Sequence, residues 1–455
     1  MPPKPPIPAS VRWCRRLALC IGFALGGLAA QAGPQARLLV ISIDGLRPDY
    51  VTEADKHGLK IPTLRKFLTE GAYAEGVVGV LPTVTYPSHT TLMTGVWPIE
   101  HGVFGNQKFT PLAPGKEQIT EASTIRVKTL WEAAHQAGYT VASVGWPVTT
   151  GATSIDWLLP ANAAFEGDES DGGAAKAGSG RVAYDRPAGL REQLADALPQ
   201  GKKLKVDDRR HAWQVEVIKR FRPEFMTAHI GYLDHAEHRH GPFSPEACAT
   251  LEFIDGLVAR LIATERAVHP DACIVIVSDH GFLPTDRGMN LNALLAREGL
   301  LDPDRQTWRA AAYDTGGSSA IIVRDPQDAA TVEKVRAVIT AAAKNPDYGI
   351  GRIWSHEQVV ARGGMPDALL MLEPAPGWRF VGGTRQVVIQ VPGTGAHGQF
   401  PDQPALHSAF MLIGPGVAAG RNLGVIDMRQ IAPTIARLLG VTLPAAQLSP
   451  VHYEK

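Results

Sequence analysis

The run "ACIVIVSDHG", Ala272 to Gly281, is an apolar strand that stops at Asp279, with His280 directly after it. The same plan recurs in "RLLVISID", Arg37 to Asp44, and in "FMTAHIGYLD", Phe225 to Asp234. "TVASVGW" (Thr140 to Trp146) and "SAFMLIGPG" (Ser408 to Gly416) are further strand-like runs. Helical periodicity separates them over Thr63 to Thr69, Lys128 to Gly138, Asp208 to Phe221 and Ser244 to Val268, the last with Ser244 as cap and Pro245 in the first turn. Near the C-terminus "DMRQIAPTIARLLG" begins with Asp427 as a cap and ends at Gly440. Strands alternating with helices from end to end predict an α/β fold around a mostly parallel sheet. The ligand crevice of such a sheet lies outside the carboxyl ends of its strands, so Asp44, Asp234 and Asp279 are expected on one rim.

Any one of these aspartates could simply cap a helix or close a turn. The histidines shift the balance. Asp234 and His238 stand four apart, on one helical face or in one tight loop, and Asp279-His280 places two ligand types at one strand tip. His397 sits between glycines in "GTGAHGQ", after the strand "QVVIQV", where the backbone can bend to aim the ring inward. Carboxylates with imidazoles suit Zn²⁺ or a similar first-row metal, and sharing them between two ions gives a two-metal site. His240 competes with His238, whose spacing from Asp234 favours it; His235, His101 and His89 are expected as surface, capping or supporting groups. The stretch "VLPTVTYPSHTTLMTG" (Val80 to Gly95) is hydroxyl-rich at the head of a helix, where Ser and Thr collect as caps.

The chain has 455 residues, 45% hydrophobic and 20% charged, with 46 Gly and 35 Pro, enough apolar material for a large core with many turns. Its formal net charge of +0 recommends neither a nucleic-acid platform nor an acidic lipid surface. There is no GxxxxGK(S/T) phosphate loop, no GxSxG elbow and no HExxH helix. Arg12, Arg15 and Arg16, the uncharged run Leu17 to Ala30 and the small residues Ala30 to Ala32 read together as an export signal over residues 1–32, too short to span a membrane and removed before Gly33. Cys14 and Cys20 leave with it, while Cys248 and Cys273 are expected as buried free thiols without a metal-binding partner. The run "GDESDGGAAKAGSG" (residues 167–180) is expected as a surface loop, and residues 287–390, with their own strands and a helix around "DAATVEKVRAVITAAAK", as an inserted cap subdomain.

"ISIDGLRPDY", "PTVTYPSHTTLMTGVWPIEHGVFGN", "DHAEHRHGP", "VSDHG" and "GTGAHG", in this order, resemble the nucleotide pyrophosphatase/phosphodiesterase family of the alkaline phosphatase superfamily. The resemblance implies an alkaline-phosphatase-like, doubly wound sheet with helices on both faces, formed by residues 33–286 and 391–455. It implies that Asp44, Asp279, His280 and the nucleophile hold one Zn²⁺, and that Asp234, His238 and His397 hold a second. By the same resemblance the nucleophile is Thr85, with Thr83 as an alternative that looks more like a turn hydroxyl. Asn106 matches an asparagine that binds phosphate oxygens, and Tyr86 matches a position where a nucleotide base stacks. Ser88 departs from the family, many of whose members carry Asn there. The expected protein is an exported, periplasmic or secreted, di-zinc phosphodiesterase acting on small nucleotide-type substrates through a phospho-threonine. Tyr86, Phe104, Trp146 and Tyr232 are candidates for its apolar pocket. Alternatives are a phosphomonoesterase or phosphonate hydrolase with the same metals, or a non-catalytic nucleotide- or metal-binding exported protein.

Overall fold

The computed structural model describes residues 36–112, 117–161, 184–198, 205–383 and 385–454. The expectations for residues 1–32, including Cys14 and Cys20, and for the loop core 167–180 lie outside them. Eight strands form the main sheet among the described residues: β1 (Leu38–Ile43), β2 (Ala72–Tyr73), β3 (Val141–Val144), β4 (Trp157–Leu159), β5 (Phe225–Ile230), β6 (Cys273–Val277), β7 (Phe410–Ile413) and β8 (Arg421–Asn422). Their spatial order is β8-β2-β7-β6-β1-β5-β3-β4. From β6 through β4 every pairing is parallel, with β1 central. β7 instead runs antiparallel to β6. The reason is geometric: the chain reaches β7 soon after His397, at the carboxyl edge of the parallel strands, so its next crossing of the sheet must run away from that edge.

Strand side chains alternate between faces, and β1 feeds two cores. Leu39, Ile41 and Ile43 pack with Trp213, Val217 and Ile218 of α2 (Val206–Phe221) and with Leu251, Val258 and Leu261 of α4 (Pro245–Val268). Leu38 and Val40 pack with Leu92 and Met93 of α1 (Thr85–Thr94) and with Ile431, Ile435 and Leu439 of α5 (Ile431–Leu439). Each fully buried aliphatic side chain contributes about 1.5–3 kcal/mol, so a central strand buried on both faces is the most stable place from which to hang a site. Between β5 and α4 runs α3 (Tyr232–His240). Ser244 does cap α4, its hydroxyl accepting from Ala247 N, with Pro245 in the first turn. Asp427 caps a short 3₁₀ turn, Met428–Gln430, that leads into α5.

Residues 310–374 hold a four-stranded antiparallel sheet of Ala310–Asp314, Ser319–Val323, Leu370–Pro374 and Ile350–Ser355, with the helix Ala329–Ala343 and a core of its own. A three-stranded sheet joins Gly377–Phe380, Leu283–Met289 and Val388–Ala396. The last two strands pair with one another across positions 287 and 390 and carry the chain back to His397. Cys248 and Cys273 are free thiols, the second buried. Among the described residues no helix is long and apolar enough to cross a membrane.

Candidate metal centre

Asp44 and Asp279 stand just beyond the ends of adjacent parallel strands β1 and β6. The Asp44 backbone N–H donates to Ile230 O at 3.0 Å, tying the tip of β1 to that of β5, from which the chain turns into α3 with Asp234 in its first turn. Asp279 Oδ1 accepts from Gly45 N at 3.2 Å. Three tips of the sheet therefore deliver three carboxylates to one rim, as the strand pattern predicts.

The histidines share one arrangement. His280 Nδ1 faces Gly281 O at 3.2 Å, His238 Nδ1 faces Gly395 O at 3.2 Å, and His397 Nδ1 faces Thr83 O at 3.0 Å. A carbonyl can only accept, so each Nδ1 carries a proton and each ring turns its Nε2 to the other side. Those nitrogens point at the acids. His280 Nε2 lies 3.0 Å from Asp279 Oδ2 and 3.3 Å from Asp44 Oδ1, His238 Nε2 lies 3.3 Å from Asp234 Oδ1, and His397 Nε2 lies 3.5 Å from the same oxygen. The His280 and His397 rings stack at 3.5 Å. Donor atoms of Asp44, Asp279 and His280 lie within 4.8 Å of one another, as do those of Asp234, His280 and His397. His238 joins this arrangement through Asp234, whereas His240, its competitor by sequence, is exposed at the end of α3.

The electrostatics call for a cation. Burial, then the charges of Asp279 and Asp234, push Asp44 well above the usual carboxylate range. Burial also works against ionisation of Asp279 and Asp234, but the imidazoles of His280 and His89 beside the first, and of His238 and His397 beside the second, hold both below that range. Burial and neighbouring His280 push His397 down to about 3, which keeps its ring neutral. Asp44 Oδ1, Asp234 Oδ1, Asp279 Oδ2 and His280 Nε2 are buried without any hydrogen-bond partner. Buried polar atoms are nearly always satisfied; four orphaned lone-pair donors in one cluster fit a hard or borderline divalent ion.

Thr85, half-buried, opens α1 beside this cluster. Asn106 Oδ1 accepts from Tyr86 N at 2.8 Å, so Asn106 holds the start of α1 and keeps its Nδ2 as donor. The Tyr86 hydroxyl reaches Gln118 Oε1 at 3.5 Å. Within α1 the hydroxyls of Thr90 and Thr94 turn back to the carbonyls of Tyr86 and Thr90, as ordinary helix residues do. Of the aromatic candidates, Trp146 is fully buried, edge-on to His89, and so lines the core and not a pocket. Phe104 and Tyr232 are half-buried.

Two buried histidines support the rim: His89, expected among the surface, capping or supporting groups, and His229, which the sequence reading did not single out. His89 Nδ1 donates to Thr85 O at 2.8 Å, its Nε2 meets Ser42 Oγ at 2.7 Å, and it lies 3.6 Å from Asp279 Oδ2. His89 is thus a bracket between α1, β1 and Asp279, not a surface group. Its signal was the four-residue spacing from Thr85. His229 packs edge-on to His89 and lies 3.5 Å from Asp44 Oδ2. Nothing local in "FMTAHI" marks it; the register Ser42↔His229 between β1 and β5 brings it there.

The sequence profile described as Type I phosphodiesterase / nucleotide pyrophosphatase matches residues 38–399. An uncharacterized pyrophosphatase/phosphodiesterase of Schizosaccharomyces pombe is 24% identical over 274 residues, 58% of this chain and 50% of that protein. The mouse ectonucleotide pyrophosphatase/phosphodiesterase family member 1 is 24% identical over 250 residues, 53% of this chain and 24% of that protein. The chain thus spans half or less of the length of these curated relatives. Among solved structures, murine ectonucleotide pyrophosphatase/phosphodiesterase 5, an inactive threonine-to-alanine variant in complex with AMP, matches with a TM-score of 0.64 and 18% identity, covering 92% of this chain and 98% of that one. The human form gives 0.64 and 19%, with 91% and 97% covered. At this identity the structural likeness establishes the shared α/β fold.

Proposed function

This chain belongs to the type I phosphodiesterase/nucleotide pyrophosphatase family, and from that premise we propose that it is an exported di-zinc hydrolase of phosphodiester or pyrophosphate bonds in nucleotide-type substrates. The observation that carries the reading is the cluster of buried, unpartnered donor atoms on Asp44, Asp234, Asp279 and His280, set on the rim beside the first residue of α1. Asp44, Asp279 and His280, together with Thr85, would hold one ion, and Asp234, His238 and His397 the other. Bound there, Zn²⁺ supplies Lewis-acid polarisation of the phosphate and lowers the pKa of the Thr85 hydroxyl.

Thr85 Oγ1 then attacks phosphorus in line. The bond to the leaving oxygen breaks, the Thr85 proton passing to solvent and the leaving oxygen taking one from it, and the phospho-threonine that remains, still esterified with the other substituent of the diester, is hydrolysed by water to a monophosphate and free Thr85. The N-terminus of α1 favours the negative charge that develops on the phosphoryl oxygens. Asn106 Nδ2 donates to a non-bridging oxygen while its Oδ1 keeps the helix start in place. Tyr86 offers its ring to a base, in keeping with the AMP held by the murine relative. The small sheet of residues 310–374 belongs to a cap, bounded near 287 and 390, beside the catalytic domain of residues 33–286 and 391–455. Residues 1–32 direct the chain to the periplasm or outside.

The test compares turnover of bis-p-nitrophenyl phosphate with that of p-nitrophenyl phosphate, alongside metal analysis of the purified protein. The expected result is a clear preference for the diester, with two zinc ions per chain and loss of turnover on chelation. Faster hydrolysis of the monoester would move the protein to the phosphomonoesterases. Turnover that survives a strong chelator in zinc-free protein would remove the two-metal mechanism.

A further inference from the structure

We infer that Thr83 is a positioning residue, whose hydroxyl clamps the loop after His397 so that the His397 ring presents Nε2, and not Nδ1, to the Asp234 cluster. Thr83 is fully buried. Its Oγ1 accepts from Gly398 N at 3.1 Å and donates to Gln399 O at 2.8 Å, and its carbonyl accepts from His397 Nδ1 at 3.0 Å. Three consecutive residues, His397 to Gln399, are thus bonded to one residue more than 300 positions away. With its proton committed to Gln399 O, the Thr83 hydroxyl is not free to act as a nucleophile, although the sequence alone left it as the alternative to Thr85.

The loop has little other freedom. Gly398 adopts φ +104°, and a Cβ there would fall 2.6 Å from Thr315 O and 2.9 Å from Gly317 N, so the backbone of residues 315–317 packs closely against it. Between that backbone and Thr83, the position of residue 397 and the tautomer of its ring are set together. Two residues further along, the segment that contains Thr83 becomes Thr85. One side chain therefore fixes His397 relative to the proposed nucleophile, although the two lie on elements far apart in the chain. Outer partners that orient a ligating histidine in this way are worth about 10- to 100-fold in metal affinity or activity.

The inference rests on the reading of His397 as a metal ligand, and the test separates the two. Metal-free full-length protein is titrated with Zn²⁺ against a chromophoric chelator, and the His397 ring tautomer is read from its ¹⁵N chemical shifts without metal. Thr83→Val, which keeps the shape and loses the hydroxyl, is expected to weaken one of the two zinc sites by about 10- to 100-fold and to populate both His397 tautomers. Thr83→Ser should keep wild-type affinity and a single tautomer. Thr83→Cys, close in size with a weak donor, should fall between them, and it carries the test should the valine variant not fold. Wild-type zinc affinity with one tautomer in Thr83→Val, or in Thr83→Cys where that variant stands in for it, would overturn the inference. So would equal losses in the serine and valine variants, because serine keeps the hydroxyl, and the effect would then belong to packing at this buried position. His397→Ala is the control: two tightly held zinc ions in that variant would refute the ligand reading itself. Loss of one zinc there, with none lost in Thr83→Val, would refute only the role of Thr83.

Discussion

His89 stands behind the rim, 3.6 Å from Asp279 Oδ2, and has no free ring nitrogen: Thr85 O and Ser42 Oγ take one each. It acts through the backbone of Thr85, so its removal should disturb the orientation of the hydroxyl more than the binding of substrate. His89→Phe, which fills the space without either bond, is expected to lower kcat on bis-p-nitrophenyl phosphate by about 10- to 100-fold with KM within a small factor. A rise in KM at unchanged kcat would place His89 in substrate binding instead. At this scale the sequence was legible where the chemistry is contiguous. An apolar run with a terminal acid announces both strand and donor, which is why Asp44, Asp234 and Asp279 could be placed on one rim. His229 was not legible, because only the pairing of β5 with β1 sets it beside Ser42 and Asp44. Ser88, the departure from the family, is buried with its Oγ unpartnered, a position that spacing alone cannot reveal.

The turn after β1 shows how tightly an element end can be built around a site. Gly45 has φ +79°, its N–H holds Asp279 Oδ1, and a Cβ on it would sit 2.8 Å from Glu237 Oε2 and 3.1 Å from the Phe282 ring. Glu237 cannot move aside cheaply, since it is buried and its Oε1 accepts from the Tyr50 hydroxyl at 2.9 Å, which in turn accepts from Phe243 N. Gly45→Ala is therefore expected to cost about 1–3 kcal/mol in urea unfolding, from a left-handed backbone and a crowded neighbour combined. A change below about 0.5 kcal/mol, the usual range for surface substitutions, would mean that the turn relaxes freely. Helix α4 was legible from its cap and periodicity, and α5 from its periodicity and the closing Gly440, while Asp427 caps the 3₁₀ turn before it. The direction of β7 was not, since it depends on where the chain stands after His397 and not on the residues of the strand.

Across the whole molecule, pH reads out how much the fold relies on neutral buried histidines. His101 is fully buried, its Nδ1 accepting from Val103 N at 3.1 Å and its Nε2 meeting Thr91 Oγ1 at 3.1 Å, and burial pushes it down to about 3. Above its unfolded value, about 6.5, it is neutral in both states and adds no pH dependence. Below that, the unfolded chain takes a proton that the native state refuses, so stability is lost as pH falls toward 3. The stability advantage of wild type over His101→Asn should therefore shrink between pH 7 and pH 4, by on the order of 2–3 kcal/mol; a constant difference would show that His101 is protonated in the fold. The alternation of strands and helices made the α/β architecture legible from the sequence, and the five family segments pointed to the rim. Their meeting there depends on a single sheet whose strand tips, α1 and the His397 loop arrive from all parts of the chain. The most direct test of the account joins these scales in one variant. Thr85→Ala should retain its zinc, lose more than about 10³-fold in turnover of bis-p-nitrophenyl phosphate, and yield no phosphorylated Thr85 peptide when acid-quenched during turnover, whereas wild type yields one. Undiminished turnover by a zinc-loaded Thr85→Ala would contradict it.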